Sequence, residues 1–226
     1  GYMKNYFNVL QKSPLFSGIA VSELEPMLKC LSAETIDYEK NAFVMRFGEE
    51  VSSIGLVLSG SVHIIKEDFW GNRNIVMKAS AGQLFAETYA CVQGQTLAVN
   101  VIATEPTTVL FLKVRCIITT CSSSCEFHSR LIRNLLTVVA QNNLMLNNKL
   151  SHMAQRSTRE KLLSYLSAES LRLASSSFEI PFNRQQLADY LSVDRSAMSN
   201  ELCKLRDEGI LRFDKNSFEL LEKQGN

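Results

Sequence analysis

The 226 residues contain no run approaching the roughly 18 consecutive apolar residues that a membrane-spanning helix needs. The stretch Gly1-Tyr2-Met3-Lys4-Asn5-Tyr6 lacks the continuous apolar core of a signal peptide. The expectation is therefore a soluble, cytoplasmic protein with no membrane partner. Charge of one sign is missing too: 24 Lys and Arg stand against 23 Asp and Glu, a formal net charge of +1. Both parts of the chain are balanced, so no polycationic segment exists and any nucleic-acid contact must rest on local motifs. The six cysteines form no CxxC pair, which leaves reduced thiols as the expectation. No GxSxG, HExxH or GxxxxGK[ST] motif occurs, and only His63 of the three histidines falls among the strands. Catalysis, including that of a cupin-type metal enzyme with clustered His ligands, thus has no support in the sequence, an enzyme is a distant second class, and no metal or cofactor is expected. Disorder and collagen-like repetition are excluded by 46% apolar and 21% charged residues.

What is present changes character along the chain. From Val9 to Leu31 the pattern is of short helical pieces, with Pro14 and Pro26 at their ends and Ser22 with Glu25 as a capping box. From Thr35 to Val114, β-branched and aromatic runs such as Ser53–Leu58, Ser61–Lys66 and Thr107–Leu112 predict strands. Gly48, Gly60, Gly71, Gly82 and Gly94 recur every eleven or twelve residues, the turn spacing of a sandwich or double-sheet barrel. Trp70-Gly71-Asn72 reads as a hairpin tip.

Glu126 to Ala154 has neither Gly nor Pro and predicts one long helix. Ile132, Leu136, Val139, Asn143, Leu146, Leu150 and Met153 follow the alternating four- and three-residue steps of a coiled-coil seam, which points to a homodimer with Asn143 fixing register or solvated at a splayed end. The alternative is an amphipathic helix packed on its own domain, and Leu131, Leu135 and Val138 widen the apolar face enough for both. A second, smaller domain begins near Gln155.

Ser157 to Leu173 predicts an amphipathic helix. Asn183 caps a helix from Arg184 to Tyr190, Leu191-Ser192-Val193 turns, and Asp194 caps a second helix through Leu205. Ala188 allows close approach, and Leu187, Leu191, Val193, Met198, Leu202 and Leu205 supply a shared core. Gly209 ends the second helix, and two strands joined at Asp214-Lys215-Asn216 make a wing. This is a winged helix-turn-helix. The outward residues at the start of its second helix are Arg195, Ser196, Ser199 and Asn200. Arg195 suits bidentate pairing with guanine, Asn200 suits adenine or a phosphate, and the serines reach phosphate or base edges. Arg184, Lys204, Arg206 and Lys215 add phosphate contacts; for Lys204 and Arg206 a solvated surface charge is an equal alternative. The predicted class is α+β: a jelly-roll (double-stranded β-helix) sensor domain over 1–125, a dimerisation helix over 126–154 and the winged helix-turn-helix over 155–226.

This order of parts resembles the catabolite activator / fumarate-nitrate regulator (CRP/FNR) superfamily of bacterial transcription factors. The residues carrying the resemblance are Ser13-Pro14-Leu15-Phe16, Gly48-Glu49, Leu58-Ser59-Gly60-Ser61-Val62, Ser157-Thr158-Arg159-Glu160-Lys161-Leu162, Asn183 to Leu191 and Asp194 to Ser199. It implies double-stranded DNA with a palindromic operator as the partner, RNA polymerase if the factor activates, and control by a small-molecule effector. Relatives often carry Arg at the position of Asn200, which implies a different operator. Members that bind cyclic AMP carry a Gly-Glu-Leu cassette followed by Arg-Ser/Thr-Ala. Here Ala86 replaces the Gly, Glu87 and Gly94 are kept, and Leu97-Ala98 stand in place of Arg-Ser. A phosphate beside Leu97 would lack its charge partner, so the expected effector is not a cyclic nucleotide. Phe85, Glu87, Thr88, Leu97 and Ala98, with Leu84, Val99, Asn142 and Asn143, are the expected pocket; a filled core without ligand is the alternative. The superfamily also includes iron-sulfur and haem sensors, but Cys116, Cys121, Cys125 and His128 match no ligand spacing, and the cysteines read as small buried hydrophobes with a redox-sensing thiol as the alternative. The rival from another class is a ligand-binding adaptor whose C-terminal domain contacts protein.

Overall fold

The computed structural model describes residues 2–119 and 126–222. Two compact units, Gly1–Ala140 and Gln141–Asn226, divide within a single helix.

The first unit opens with a short 3-10 turn, then α1 (Phe7–Lys12), a second 3-10 turn at Pro14–Phe16 and α2 (Val21–Cys30). The expected Ser22–Glu25 capping box does not form. The helix starts two residues earlier, where the Glu23 carboxylate accepts the Ala20 N–H at 3.2 Å, and Pro26 lies inside it. Leu10, Leu15, Phe16, Leu24, Met27 and Leu31 of this preface are fully buried in the core of the unit.

Strands β1 (Glu34–Tyr38), β2 (Phe43–Met45), β3 (Ser53–Ser59), β4 (Ser61–Glu67), β5 (Arg73–Ser80), β6 (Leu84–Phe85), β7 (Asn100–Ala103) and β8 (Thr107–Lys113) follow, with α3 (Glu87–Ala90) before β7 and α4 (Val114–Ile118) after β8. They form two antiparallel sheets in the orders β1-β8-β3-β6 and β2-β7-β4-β5, the layers of a jelly roll. Ile54, Leu56, Leu58, Val62, Val101, Leu110 and Leu112 belong to its buried core. The five evenly spaced glycines all adopt positive φ. At Gly60 (φ +84) a side chain is also barred by space, since a Cβ would collide with Thr107 and the Pro106 carbonyl. At the β4–β5 tip, Asp68 Oδ1 accepts the N–H groups of Trp70 at 3.0 Å and Asn72 at 2.9 Å, which builds the turn around Gly71.

Helix α5 runs Glu126–Met153 without interruption. Its first half belongs to the sandwich: Leu131 and Leu135 are buried in the core, and Asn134 Nδ2 donates to the carbonyls of Leu15 (2.8 Å) and Ser17 (2.9 Å). Arg130 donates to the Gly18 carbonyl. No helix among the described residues is long and apolar enough to cross a membrane.

The second unit contains the end of α5, then α6 (Thr158–Leu173), β9 (Ser177–Glu179), α7 (Arg184–Leu191), α8 (Arg195–Asp207), β10 (Leu211–Asp214) and β11 (Ser217–Leu220). Side chains cap three helices in a row: Ser157 Oγ accepts the Glu160 N–H at 3.1 Å, Asn183 Oδ1 that of Gln186 at 2.8 Å, and Asp194 Oδ2 that of Ala197 at 2.9 Å. Ser192, at φ +55, and Gly209, at φ +73, terminate α7 and α8 in the left-handed region. Leu162, Leu166, Leu187, Ala188, Leu191, Met198, Leu202 and Leu205 close the core. The wing has three strands, in the order β10-β11-β9. The short extended piece around Phe178 thus joins the wing, with Phe178 opposite Phe218.

Candidate nucleic-acid interface and effector cleft

Helix α8 buries Met198, Leu202 and Leu205, so its opposite face is turned to solvent. Arg195, Ser196 and Asn200 are exposed there, and Ser199 is half-buried at the edge of the contact with the core. Cys203 shares the exposed face one turn further on, a residue that sequence reading did not place. The N-terminal ends of α7 and α8 and the turn of the wing meet around one groove of about 440 Å³, lined by Asn183, Arg184, Gln185, Arg195, Lys215 and Asn216. Three of the expected basic residues are thereby gathered with no acidic residue among the lining.

Arg184, Lys204 and Arg206 also make contacts within the unit. The Arg184 guanidinium lies over the rings of Phe213 (5.2 Å) and Phe218 (5.1 Å), and its Nη1 is buried without a hydrogen-bond partner. Burial pulls its pKa below the usual arginine value. Arg184 therefore covers the wing core as well as bordering the groove. Lys204 Nζ is 3.6 Å from Glu201, and Arg206 lies 5.5 Å from the Phe213 ring centre and 3.4 Å from Asp207. Lys215, at φ +52, is exposed at the wing turn.

Arg159 on α6 was noted in the sequence only as part of a family motif. In the fold it reaches Glu201 at 3.1 Å and Glu208 at 2.6 Å, tying α6 to α8. The two hydrogen-bonded carboxylates raise its pKa, and its donation holds the Glu201 carboxyl below the usual range. The partners lie more than forty positions apart, so no local spacing signals the contact.

Along α5, the seam residues fall into two groups. Ile132 and Val139 pack partly buried against the sandwich core, whereas Leu136, Leu146 and Leu150 are 66%, 59% and 62% exposed and Asn143 is exposed beside them. Leu144 and Met145 are exposed apolar residues off the expected seam. At the end of the helix His152 is buried, with Ser164 Oγ 2.8 Å from its Nδ1 and the Tyr165 ring edge-on at 5.8 Å. Lys149 lies over Tyr190 at 5.2 Å. The last turns of α5 are thus held by α6 and α7.

In the sandwich, Ala86 adopts φ +61, the left-handed conformation, at the entry to α3. A cleft of about 180 Å³ lies beside it, lined by Glu87, Thr88 and Tyr89 of α3 and by Leu97, Val99, Val101, Ile64, Val76 and Met77. Glu87, Thr88 and Leu97 stand where expected. Phe85 and Ala98 do not line it. The Phe85 ring is fully buried across Gly55 and edge-on to Phe111 at 6.5 Å, and Ala98 is turned outward between inward-facing Leu97 and Val99. Asn142, half-buried, and Asn143, exposed, lie in the second unit and are not among the lining residues.

Cys91, Cys116 and Cys203 are free thiols and Cys30 Sγ lies 3.9 Å from His128 Nε2, while Cys121 and Cys125 lie outside the described residues. His128 is buried with Nε2 3.2 Å from the Cys116 carbonyl. No group of three or more metal-ligating side chains occurs among the described residues.

A family model of the cyclic nucleotide-binding domain matches residues 35–124, and one of the Crp-like helix-turn-helix domain matches residues 160–225. Among solved structures, the Thermus thermophilus catabolite activator protein is 21% identical over 93% of this chain and 94% of that chain, with a TM-score of 0.50. The c-di-GMP responsive global regulator CLP of Xanthomonas campestris is 17% identical over 88% of this chain and 100% of that chain, at 0.51. The sensor domain of the transcriptional regulator DNR from Pseudomonas aeruginosa is 18% identical over 69% of this chain and 98% of that chain, at 0.52. Such identities speak for the fold. None of the curated proteins matches the sequence. A cyclic nucleotide-binding type sandwich, a long helix and a Crp-like helix-turn-helix, in that order, place this chain in the CRP/FNR superfamily of transcription regulators.

Proposed function

We propose that the protein is a sequence-specific DNA-binding regulator, acting as a homodimer on a palindromic operator under control of an effector other than a cyclic nucleotide. The observation that carries the DNA reading is the gathering of Arg184, Arg195 and Lys215 around one groove beside the exposed start of α8. Arg195 offers two parallel donors to guanine O6 and N7, Asn200 an amide to adenine, and Ser196 and Ser199 hydroxyls to phosphate or base edges. Lys215 on the wing neutralises a flanking phosphate, and Lys204, exposed on α8, adds another. RNA polymerase is the further partner of an activator.

The dimer reading rests on α5. Leu136, Leu146 and Leu150, exposed at the spacing of a coiled-coil seam, are apolar surface that a second α5 buries, with Asn143 opposite its twin. Residues 1–125 act as sensor, 126–154 as dimerisation helix and 155–226 as DNA reader. Because α5 is uninterrupted and held at one end by the sandwich and at the other by α6 and α7, a change in sandwich packing biases a two-state arrangement of the readers. The effector must bind one of those states more tightly than the other.

A cyclic nucleotide is disfavoured by Leu97, buried in the cleft where an arginine would answer the phosphate, and by the lack of Lys or Arg among the lining. Stripping the phosphate of water there costs several kcal/mol without compensation. The test is selection of bound sequences from random duplex DNA with purified protein at two salt concentrations. Enrichment of a two-fold symmetric site is the expected result. No enrichment at low salt, with or without cell extract, overturns the DNA reading and favours an adaptor that contacts protein.

A further inference from the structure

We infer that the sandwich cleft takes a neutral, largely apolar molecule of one or two fused rings that carries a single hydrogen-bond donor. The inference deepens the effector reading above and rests on it. Three observations lead there. The first is size: at about 180 Å³ the cleft is close to the ~150 Å³ aliphatic cavities that hold benzene, and well below the ~300–1,000 Å³ of pockets that enclose larger ligands. A mononucleotide, a dinucleotide or a tetrapyrrole exceeds the space that the cleft encloses.

The second is the distribution of polarity. Leu97, Val99, Val101 and Ile64 are buried aliphatic walls, while the polar side chains of the lining, Glu87, Thr88 and Tyr89, all come from α3. A ligand therefore presents an apolar body to the strands and its polar atom to α3. The third is charge. The lining contains no cation, so a phosphate or carboxylate ligand would find no counter-charge there. A hydroxyl or ring N–H is accepted by the oxygens on α3. At the rim stand Val76 and Met77, both exposed on edge strand β5, which is paired only with β4 among the described strands. The unbranched thioether of Met77 adapts its shape to what enters.

The test uses the full-length chain without DNA, so its outcome is independent of operator binding. Indole, toluene, cyclic AMP, cyclic di-GMP and haemin are each titrated by calorimetry and by thermal shift. Indole is expected to bind and to raise Tm with concentration, toluene more weakly, and the other three not at all. Val99→Phe, which fills the cleft, is expected to abolish indole binding. Should that variant not fold, Thr88→Val at the exposed edge of α3 serves instead. It should weaken indole about fivefold and leave toluene unchanged, the loss of one hydrogen bond. Binding of cyclic AMP, cyclic di-GMP or haemin without indole overturns this ligand class and leaves an effector domain. Silence from all five probes overturns the effector reading itself. Indole binding undiminished in Val99→Phe, or equally weakened for toluene in Thr88→Val, places the site elsewhere and overturns the assignment.

Discussion

Arg159 Nε donates to Glu201 Oε2 at 3.1 Å, so a helix outside the helix-turn-helix holds the middle of α8. A second bond from Arg159 to Glu208 holds its C-terminal cap, and together they fix the rotation of α8 about its axis. Arg159→Ala should therefore lower operator affinity and blur the preferred sequence while leaving the salt dependence unchanged, because no phosphate contact is lost. Binding isotherms at several salt concentrations on selected and scrambled sites check this. The depressed Glu201 pKa adds a pH signature. The carboxyl contributes stability above its ordinary value of 4.5 and loses it as pH falls through the lowered folded-state value. Urea melts between about pH 5 and pH 3 should show this acid limb in the native protein and lose it in Arg159→Ala.

Arg195→Ala should cost the operator complex roughly 1–3 kcal/mol and relax specificity at one base position. Arg184→Ala should behave differently. Its guanidinium covers Phe213 and Phe218, so the wing loses about 1 kcal/mol of stability along with affinity. Thermal melts beside gel-shift titrations separate the two.

Leu146→Asp in the exposed stripe of α5 should convert the proposed dimer to monomer. Burying one Leu contributes roughly 1.5–3 kcal/mol and each dimer buries two, so the loss is about 3–6 kcal/mol. Sedimentation equilibrium measures it. Leu135→Ala, by contrast, hollows the sandwich core and should lower stability by about 2–5 kcal/mol without changing the oligomeric state.

His152 should give the second unit a pH dependence near neutrality. Burial lowers its pKa from the ordinary 6.5, opposed by Glu169 of α6, while Ser164 and Tyr165 of α6 enclose the neutral ring. The unfolded chain thus takes up the proton first. Stability is fully present above about pH 6.5 and declines as pH falls below it. His152→Gln should flatten that slope at a cost of about 1 kcal/mol for the bond to Ser164. Chemical melts across the range read both.

Local patterns carried much of this architecture in plain view. The β-branched runs of β3 and β4, the glycine punctuation, the long Gly- and Pro-free helix and the caps at Ser157, Asn183 and Asp194 are short-range rules, and the folded chain shows them all. The Ser22–Glu25 cap failed because Glu23 answers Ala20 two residues earlier, an equally local competitor. The cleft was half legible. Leu97 and Glu87 were found from their positions in a cassette, but Phe85 turned into the core because Gly55 leaves room for its ring.

The sequence by itself determined which segments are strands and helices, that α5 is long and two-faced, and that the end of the chain is a winged helix-turn-helix. Periodicity, caps and turns act over a few residues and are written in order. Tertiary structure alone decided that β9 completes the wing, that Arg184 lies over aromatic rings, that Arg159 braces α8, and that Ile64 and Met77 share a cleft with Leu97. These pairings join residues tens of positions apart, and which partners meet is settled by packing and charge in the assembled unit, where no local rule reaches.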